Sequence, residues 1–180
     1  MEETKEVSKE RISSGFLKLD RITYKRGEHE FQREIVNRGD AVAGLLYNTD
    51  TKKYILVKQF RPGAGKELTE IIAGTMDVEG ESAEECLKRE IAEETGYSMT
   101  GCQLICSSFA SPGGSTEKMY IFQAITDGTK VGAGGGVGDE GIEIVEYTES
   151  ELIQNLGILS EDLKTFVALF HEMEVGHMAF

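Results

Sequence analysis

The chain is poor in basic residues and gathers them nowhere: 19 Lys+Arg stand against 32 Asp+Glu in 180 residues, a formal net charge of -13. Affinity for a phosphate backbone comes from clustered cations, so non-specific nucleic-acid binding is excluded, and anionic lipid surfaces on the same ground. No apolar run approaches the length that spans a bilayer, and the start, Met1-Glu2-Glu3-Thr4-Lys5-Glu6, lacks the apolar segment of a signal peptide. The expected location is cytoplasmic. Cysteine is scarce and odd in number; Cys86, Cys102 and Cys106 show no CxxC spacing, which favours reduced packing thiols over a zinc site or a disulfide. The histidines, His29, His171 and His177, are scattered and read as surface residues. There is no internal repeat.

What is present is the composition of one ordinary globular domain, 39% apolar and 28% charged. A chain of this length buries roughly two-thirds of its unfolded surface and needs no staple to fold. Residues 1 to 15 are polar and read as frayed. Phe16 to Val36 reads as extended, with an Arg26-Gly27-Glu28 turn. Ala41–Tyr47 and Tyr54–Phe60 read as strands around an Asn48-Thr49-Asp50 turn, and Leu68–Ala73 as an apolar run stopped by Gly74. Helical texture holds from Ser82 to Thr95. Strands return at Cys102–Phe109, Met119–Ile125 and Ile142–Tyr147, and two helices close the chain, one from Glu149 behind Thr148 and one over Glu161–Glu174 behind Ser160. In the last, Leu163, Phe166, Val167 and Phe170 form a stripe that predicts core packing. Strands interleaved with helices and hairpins predict an α/β or α+β sandwich rather than an all-parallel sheet.

The helix after Ser82 carries the chemistry. Ser82 and Glu85 stand in capping-box spacing, and Gly96 is placed to end the helix in the left-handed conformation. At about 100° per residue, Leu87 and Ile91 define the buried direction, Glu94 falls between Leu87 and Ala83, and Glu90 sits beside them. Arg89 points to the opposite side, between Glu85 and Glu93. Carboxylates on a core-facing side need partners, because like charges at i,i+4 repel and dry carboxylates are costly. An oxygen-ligated cation, Mg²⁺ or Mn²⁺, answers that need; a solvated acidic helix is the other reading. A second segment also admits two readings. Gly132-Ala133-Gly134-Gly135-Gly136-Val137-Gly138-Asp139-Glu140 is either a flexible surface loop or a mobile loop that delivers a carboxylate into a site.

Gly74, Glu81 and the run Arg89-Glu90-Ile91-Ala92-Glu93-Glu94-Thr95-Gly96-Tyr97 resemble the Nudix box: Gly, five residues, Glu, seven residues, then Arg-Glu-apolar-any-Glu-Glu-any-Gly-apolar. The second half matches in full; the first departs, with six residues between Gly74 and Glu81. Ser111-Pro112-Gly113-Gly114 resembles the mark of the ADP-ribose pyrophosphatase branch. Gln59-Phe60-Arg61, Arg33-Glu34-Ile35 and the glycine loop are similar to the GDP-mannose hydrolases within it.

This resemblance implies a Nudix α/β/α sandwich with a mixed sheet and an N-terminal antiparallel strand region. Residues 1–40 would form that region, exchanged between the subunits of a homodimer, and residues 41–180 the Nudix domain. It implies hydrolysis of a nucleotide sugar with Mg²⁺ (Mn²⁺ as a possible substitute), held by Glu90, Glu94, the backbone carbonyl of Ala73, and Glu140. Glu140 is the candidate general base, with Glu93 the competitor, and Arg89 would orient the glutamates. Arg61 is the candidate phosphate clamp, since a guanidinium can bind two phosphate oxygens at once. Phe16, Arg33 and Glu34 would hold the nucleoside from the partner subunit. Gly74, Glu117, Asp139 and Lys164 complete the expected substrate-binding set. GDP-mannose leads as substrate, ADP-ribose follows, and a catalytically silent nucleotide binder is the reading from another class.

Overall fold

The structure is a computed structural model that describes residues 2–138 and 141–175. It divides into two compact units, one formed by the segment through Asp40 with Ser108–Met119, the other by Ala41–Ser107 with the chain from Tyr120 onward.

In the first unit, β1 (Thr4–Ser14), β2 (Lys18–Arg26) and β3 (His29–Asn37) form an antiparallel sheet in the order β1-β2-β3. The β2–β3 turn falls on Gly27, at φ 58, where the sequence predicts it. Residues 4–14 are not frayed. They make a strand exposed along its whole length, with bulges at Val7 and Ile12. A strand wet on both faces has no apolar alternation to betray it. Its anchor is the buried Asp20, which takes Arg11 and, at 3.0 Å, Lys9; the Arg11 guanidinium holds the Asp20 carboxyl below the usual carboxylate range. The Ser111-Pro112-Gly113-Gly114 loop is tied to β3, Val36 N donating to Gly114 O at 2.8 Å and Thr116 N to Val36 O at 3.0 Å.

The second unit is built on a seven-stranded sheet: β4 (Ala41–Asn48), β5 (Lys53–Arg61), β6 (Lys66–Glu70), β7 (Ile72–Thr75), β8 (Gly101–Phe109), β9 (Lys118–Thr126) and β10 (Glu143–Tyr147). The main order is β10-β5-β4-β9-β8. Strands β4 and β5 are paired only from Leu46↔Ile55 to Asn48↔Lys53. Beyond that they part, and residues 66–75 fill the fork, β6 against β5 and β7 against β4. Gly74 therefore lies inside a strand, opposite Val42, and does not end one.

Helix α1 (Ala83–Thr95) covers one face of this sheet, where Val42, Leu46, Ile55 and Ile72 pack with Leu87 and Ile91. Gly44 permits the approach: a Cβ there would lie 2.7 Å from Leu87 Cδ1. Three further helices follow, α2 (Glu149–Gln154), α3 (Leu156–Leu159) and α4 (Leu163–Val175). Side chains alternate along β4, so Leu45 and Tyr47 face away from α1; with Tyr54 and Glu172 of α4 they line a small cavity of about 50 Å³. Helices on both faces make the predicted α/β/α sandwich.

The α4 stripe is a correction. Leu163 and Phe170 are 62% and 52% exposed, whereas Thr165, Ala168 and Leu169 face the sheet. Small residues let α4 approach closely, and its polar groups on that side are satisfied: the Thr165 hydroxyl accepts from Ile71 N at 3.0 Å, and Tyr54 and Gln123 both donate to Glu172. The helix is capped by Asp162, whose carboxylate takes Thr165 N at 3.0 Å, not by Ser160.

Candidate active site

Both borders of α1 follow from local chemistry. Ser82 and Glu85 exchange the two bonds of a capping box, and Gly96 ends the helix at φ 72. The last turn carries no basic residue, so its carbonyls need other donors. The glycine loop supplies them: Gly136 N donates to Glu93 O at 3.1 Å, Gly135 N to Glu94 O at 2.7 Å, and Val131 N to Gly96 O at 2.8 Å. Lys130 Nζ donates to Thr95 O at 2.8 Å and lies 3.3 Å from the centre of the Tyr97 ring. The loop through Gly136 is thus docked on the end of α1, on the residues whose side chains are the candidate acids. Asp139 and Glu140 lie outside the described residues.

Arg89 corrects the helical-wheel reading. It makes no bond to Glu85, whose carboxylate is spent on Ser82, and does not turn away from Glu90. Its Nη1 lies 2.6 Å from Glu90 and 3.3 Å from Glu93, while Nε and Nη2 are each 3.1 Å from one oxygen of Glu81. Long side chains reach round a helix, which angles per residue do not capture. The Arg89 guanidinium holds the Glu81 carboxyl below its ordinary value, and the glutamates hold Arg89 all the more firmly charged. Burial pushes the neighbouring Cys86 thiol up to about 12. Cys86, Cys102 and Cys106 are all free thiols.

Glu90 is fixed from the other side by Gly74. A Cβ at Gly74 would overlap the Glu90 carboxyl group, so the carboxylate rests on bare backbone of β7, next to Ala73. One turn on, Glu94 is 5% exposed. Glu90 thus sets a carboxylate against strand backbone, with Glu94 one turn on along the same helix; these are oxygen donors only, the chemistry that suits Mg²⁺ or Mn²⁺. Among the described residues no three His, Cys, Asp or Glu side chains gather as a metal-holding group.

Arg61 and Lys164, predicted separately, converge on Glu70, which is 1% exposed. Glu70 was missed by sequence reasoning, although an acid set directly before the apolar Ile71-Ile72 pair is a signal. Lys130 was missed because nothing local marks it. The remaining predicted residues lie in the first unit. Phe16, between β1 and β2, is 98% exposed. Arg33 stands 5.0 Å over the Phe31 ring, Glu34 accepts from Arg21 at 2.8 Å, and Glu117 pairs with Arg38 at 3.6 Å.

A fold of this kind, with the box residues on one strand, loop and helix, defines a class. The NUDIX domain family matches residues 37–170, and the chain belongs to that family. Among curated proteins it is similar to the GDP-mannose pyrophosphatase of Cronobacter sakazakii, 35% identical over 92% of this chain and 93% of that protein. It is equally similar to the GDP-mannose pyrophosphatase of Escherichia coli strain K12, 35% identical over 93% of each. The solved structure of an ADP compounds hydrolase superposes with a TM-score of 0.80 over 97% of this chain and 94% of its own, at 20% identity, a likeness of fold.

Proposed function

We propose that this protein is a divalent-metal-dependent Nudix hydrolase that cleaves the pyrophosphate bond of a nucleoside diphosphate sugar, GDP-mannose, giving GMP and mannose 1-phosphate. Family membership and the names of the relatives supply the class and the leading substrate. The observation that carries the site is the Glu90 carboxylate seated where a Gly74 side chain would be, one helical turn from the buried Glu94.

The donor set fits a hard cation, and Glu90, Glu94, the Ala73 carbonyl and Glu140 are the residues that would hold it. When bound, a divalent cation supplies charge neutralisation at the phosphate oxygens and acidifies the attacking water. Magnesium is the proposed ion, with manganese as a substitute. The chain's own residues do the rest. Arg89 orients Glu90 and Glu93 by direct bonds and stays clear of substrate. Glu140, or Glu93 in its place, takes the proton of the water as phosphorus is attacked. Arg61 and Lys164 offer their N–H donors to the pyrophosphate oxygens. Asp139 and Glu117 are the remaining proposed substrate contacts.

The protein is further proposed to be a homodimer in which residues 1–40 are exchanged, so that Phe16, Arg33 and Glu34 meet the nucleoside bound by the partner. The near-complete exposure of Phe16 favours this reading, since an isolated ring held wholly in water gains nothing from folding. The proposed setting is the cytoplasm, where three free thiols stay reduced. No helix of the described residues is long and apolar enough to cross a membrane. Phosphate release from GDP-mannose, ADP-ribose and UDP-sugars, coupled to a phosphatase and run with Mg²⁺ or EDTA, tests the function. The expected result is Mg²⁺-dependent turnover with the highest kcat/KM on GDP-mannose; no turnover on any of them would leave a nucleotide-binding domain without catalysis.

A further inference from the structure

The buried carboxylate of Glu70 stands in β6 directly opposite Val57, itself fully buried. A charge in such a place has to be paired. Its two oxygens are divided between two cations from different elements: Oε1 takes Nε of Arg61, at the end of β5, and Oε2 takes Nζ of Lys164, in the first turn of α4. Lys164 is braced a second time by Asp162 at 2.9 Å, and Asp162 receives the Thr165 hydroxyl at 2.6 Å. Thr165 in turn accepts from the backbone of Ile71, the residue after Glu70. The network therefore closes on itself, and it spans three elements that no local sequence signal links.

We propose that Glu70 is the positioning residue of the substrate clamp, fixing Arg61 and Lys164 as a matched pair before the pyrophosphate arrives. The inference rests on the reading of Arg61 and Lys164 as phosphate-binding groups. Two cations brought together without a shared anion repel, and two long side chains held by nothing must be ordered at the moment of binding. Glu70 removes both costs in advance. With Asp162 also on Lys164 the four side chains balance in charge, so what Glu70 supplies is geometry, and the Arg61 side chain, 37% exposed, still reaches solvent. A ligand anion then meets donors already in place, which is how preorganisation raises affinity.

A double-mutant cycle read in KM and kcat, with thermal unfolding recorded for every variant, tests this. Glu70→Gln is expected to raise KM for GDP-mannose about tenfold while kcat changes far less, the cost of ordering two side chains. In the Arg61→Met background the same change should have a clearly smaller effect on KM, because one of the two groups it positions is gone. KM left within about twofold by Glu70→Gln, or an effect of undiminished size in the Arg61→Met background, would overturn the proposal and leave Glu70 a folding residue. Should Glu70→Gln not fold, Glu70→Asp, which keeps the charge and shortens its reach, enters the same cycle with the same expectation. Normal KM in both Arg61→Met and Lys164→Met, or absence of turnover in the wild type, would instead remove the clamp reading beneath the inference.

Discussion

Arg89 grips Glu81 with a bidentate pair of hydrogen bonds, Nε donating to Oε1 and Nη2 to Oε2, each 3.1 Å long. The extra residue between Gly74 and Glu81 is absorbed in the loop, and Glu81 still reaches the arginine that holds Glu90 and Glu93. The Glu81 carboxyl is held below its ordinary value of 4.5 by that arginine, so its contribution to stability is complete above about pH 4.5 and disappears as pH falls through the lower folded value. The difference in urea-unfolding free energy between wild type and Glu81→Gln should therefore be constant from pH 7 to pH 5 and shrink in more acid solution. A difference that grew below pH 4 would contradict the pairing.

Gly74→Ala should leave the fold and move Glu90. Gly74 has an ordinary backbone conformation, and the atoms a methyl group would meet belong to the Glu90 side chain and not to backbone. Turnover is expected to fall about a hundredfold, the scale of an ångström-sized misplacement of a catalytic group. Steady-state kinetics beside circular dichroism read both halves of the expectation.

Lys130→Met should cost about 1 kcal/mol of stability, since one charged donor at a helix C-terminus is lost from the Thr95 carbonyl. Hydrogen exchange of the amides of Gly135 and Gly136, which bond to Glu94 and Glu93, should accelerate as the loop loosens.

Phe16→Ala separates a folding role from a binding role. A side chain 98% exposed contributes little to its own fold, so the unfolding midpoint should not move by more than about 0.5 kcal/mol equivalent. Under the exchanged dimer, KM for GDP-mannose should nevertheless rise, and sedimentation should report two chains per particle.

Much of this was legible in the sequence where the controlling forces are local. The capping box, the left-handed Gly96 and the Leu87–Ile91 direction of α1 depend on residues within a few positions of one another, and all were readable in advance. The β1 strand was not, because residues exposed on both faces follow no alternation, and its pairing is set by β2 rather than by its own composition. The α4 stripe misled for a related reason. Leu163, Phe166 and Phe170 have the right spacing for a core, but the face that packs is chosen by the Thr165–Ile71 and Glu172–Tyr54 bonds, which join residues far apart in the chain. In the candidate site the helix-borne glutamates were legible, whereas Glu70 and Lys130 act on groups brought near them only by the fold.

The proposed chemistry is metal-dependent cleavage of a pyrophosphate driven by the carboxylates of α1. It is tested most directly by GDP-mannose hydrolysis in wild type and Glu94→Gln at saturating Mg²⁺, with products resolved by chromatography. The expected result is equal amounts of GMP and mannose 1-phosphate from the wild type, their loss in EDTA, and turnover lower by several kcal/mol of barrier, about a thousandfold or more, in a variant that folds normally. Undiminished turnover in Glu94→Gln would contradict it.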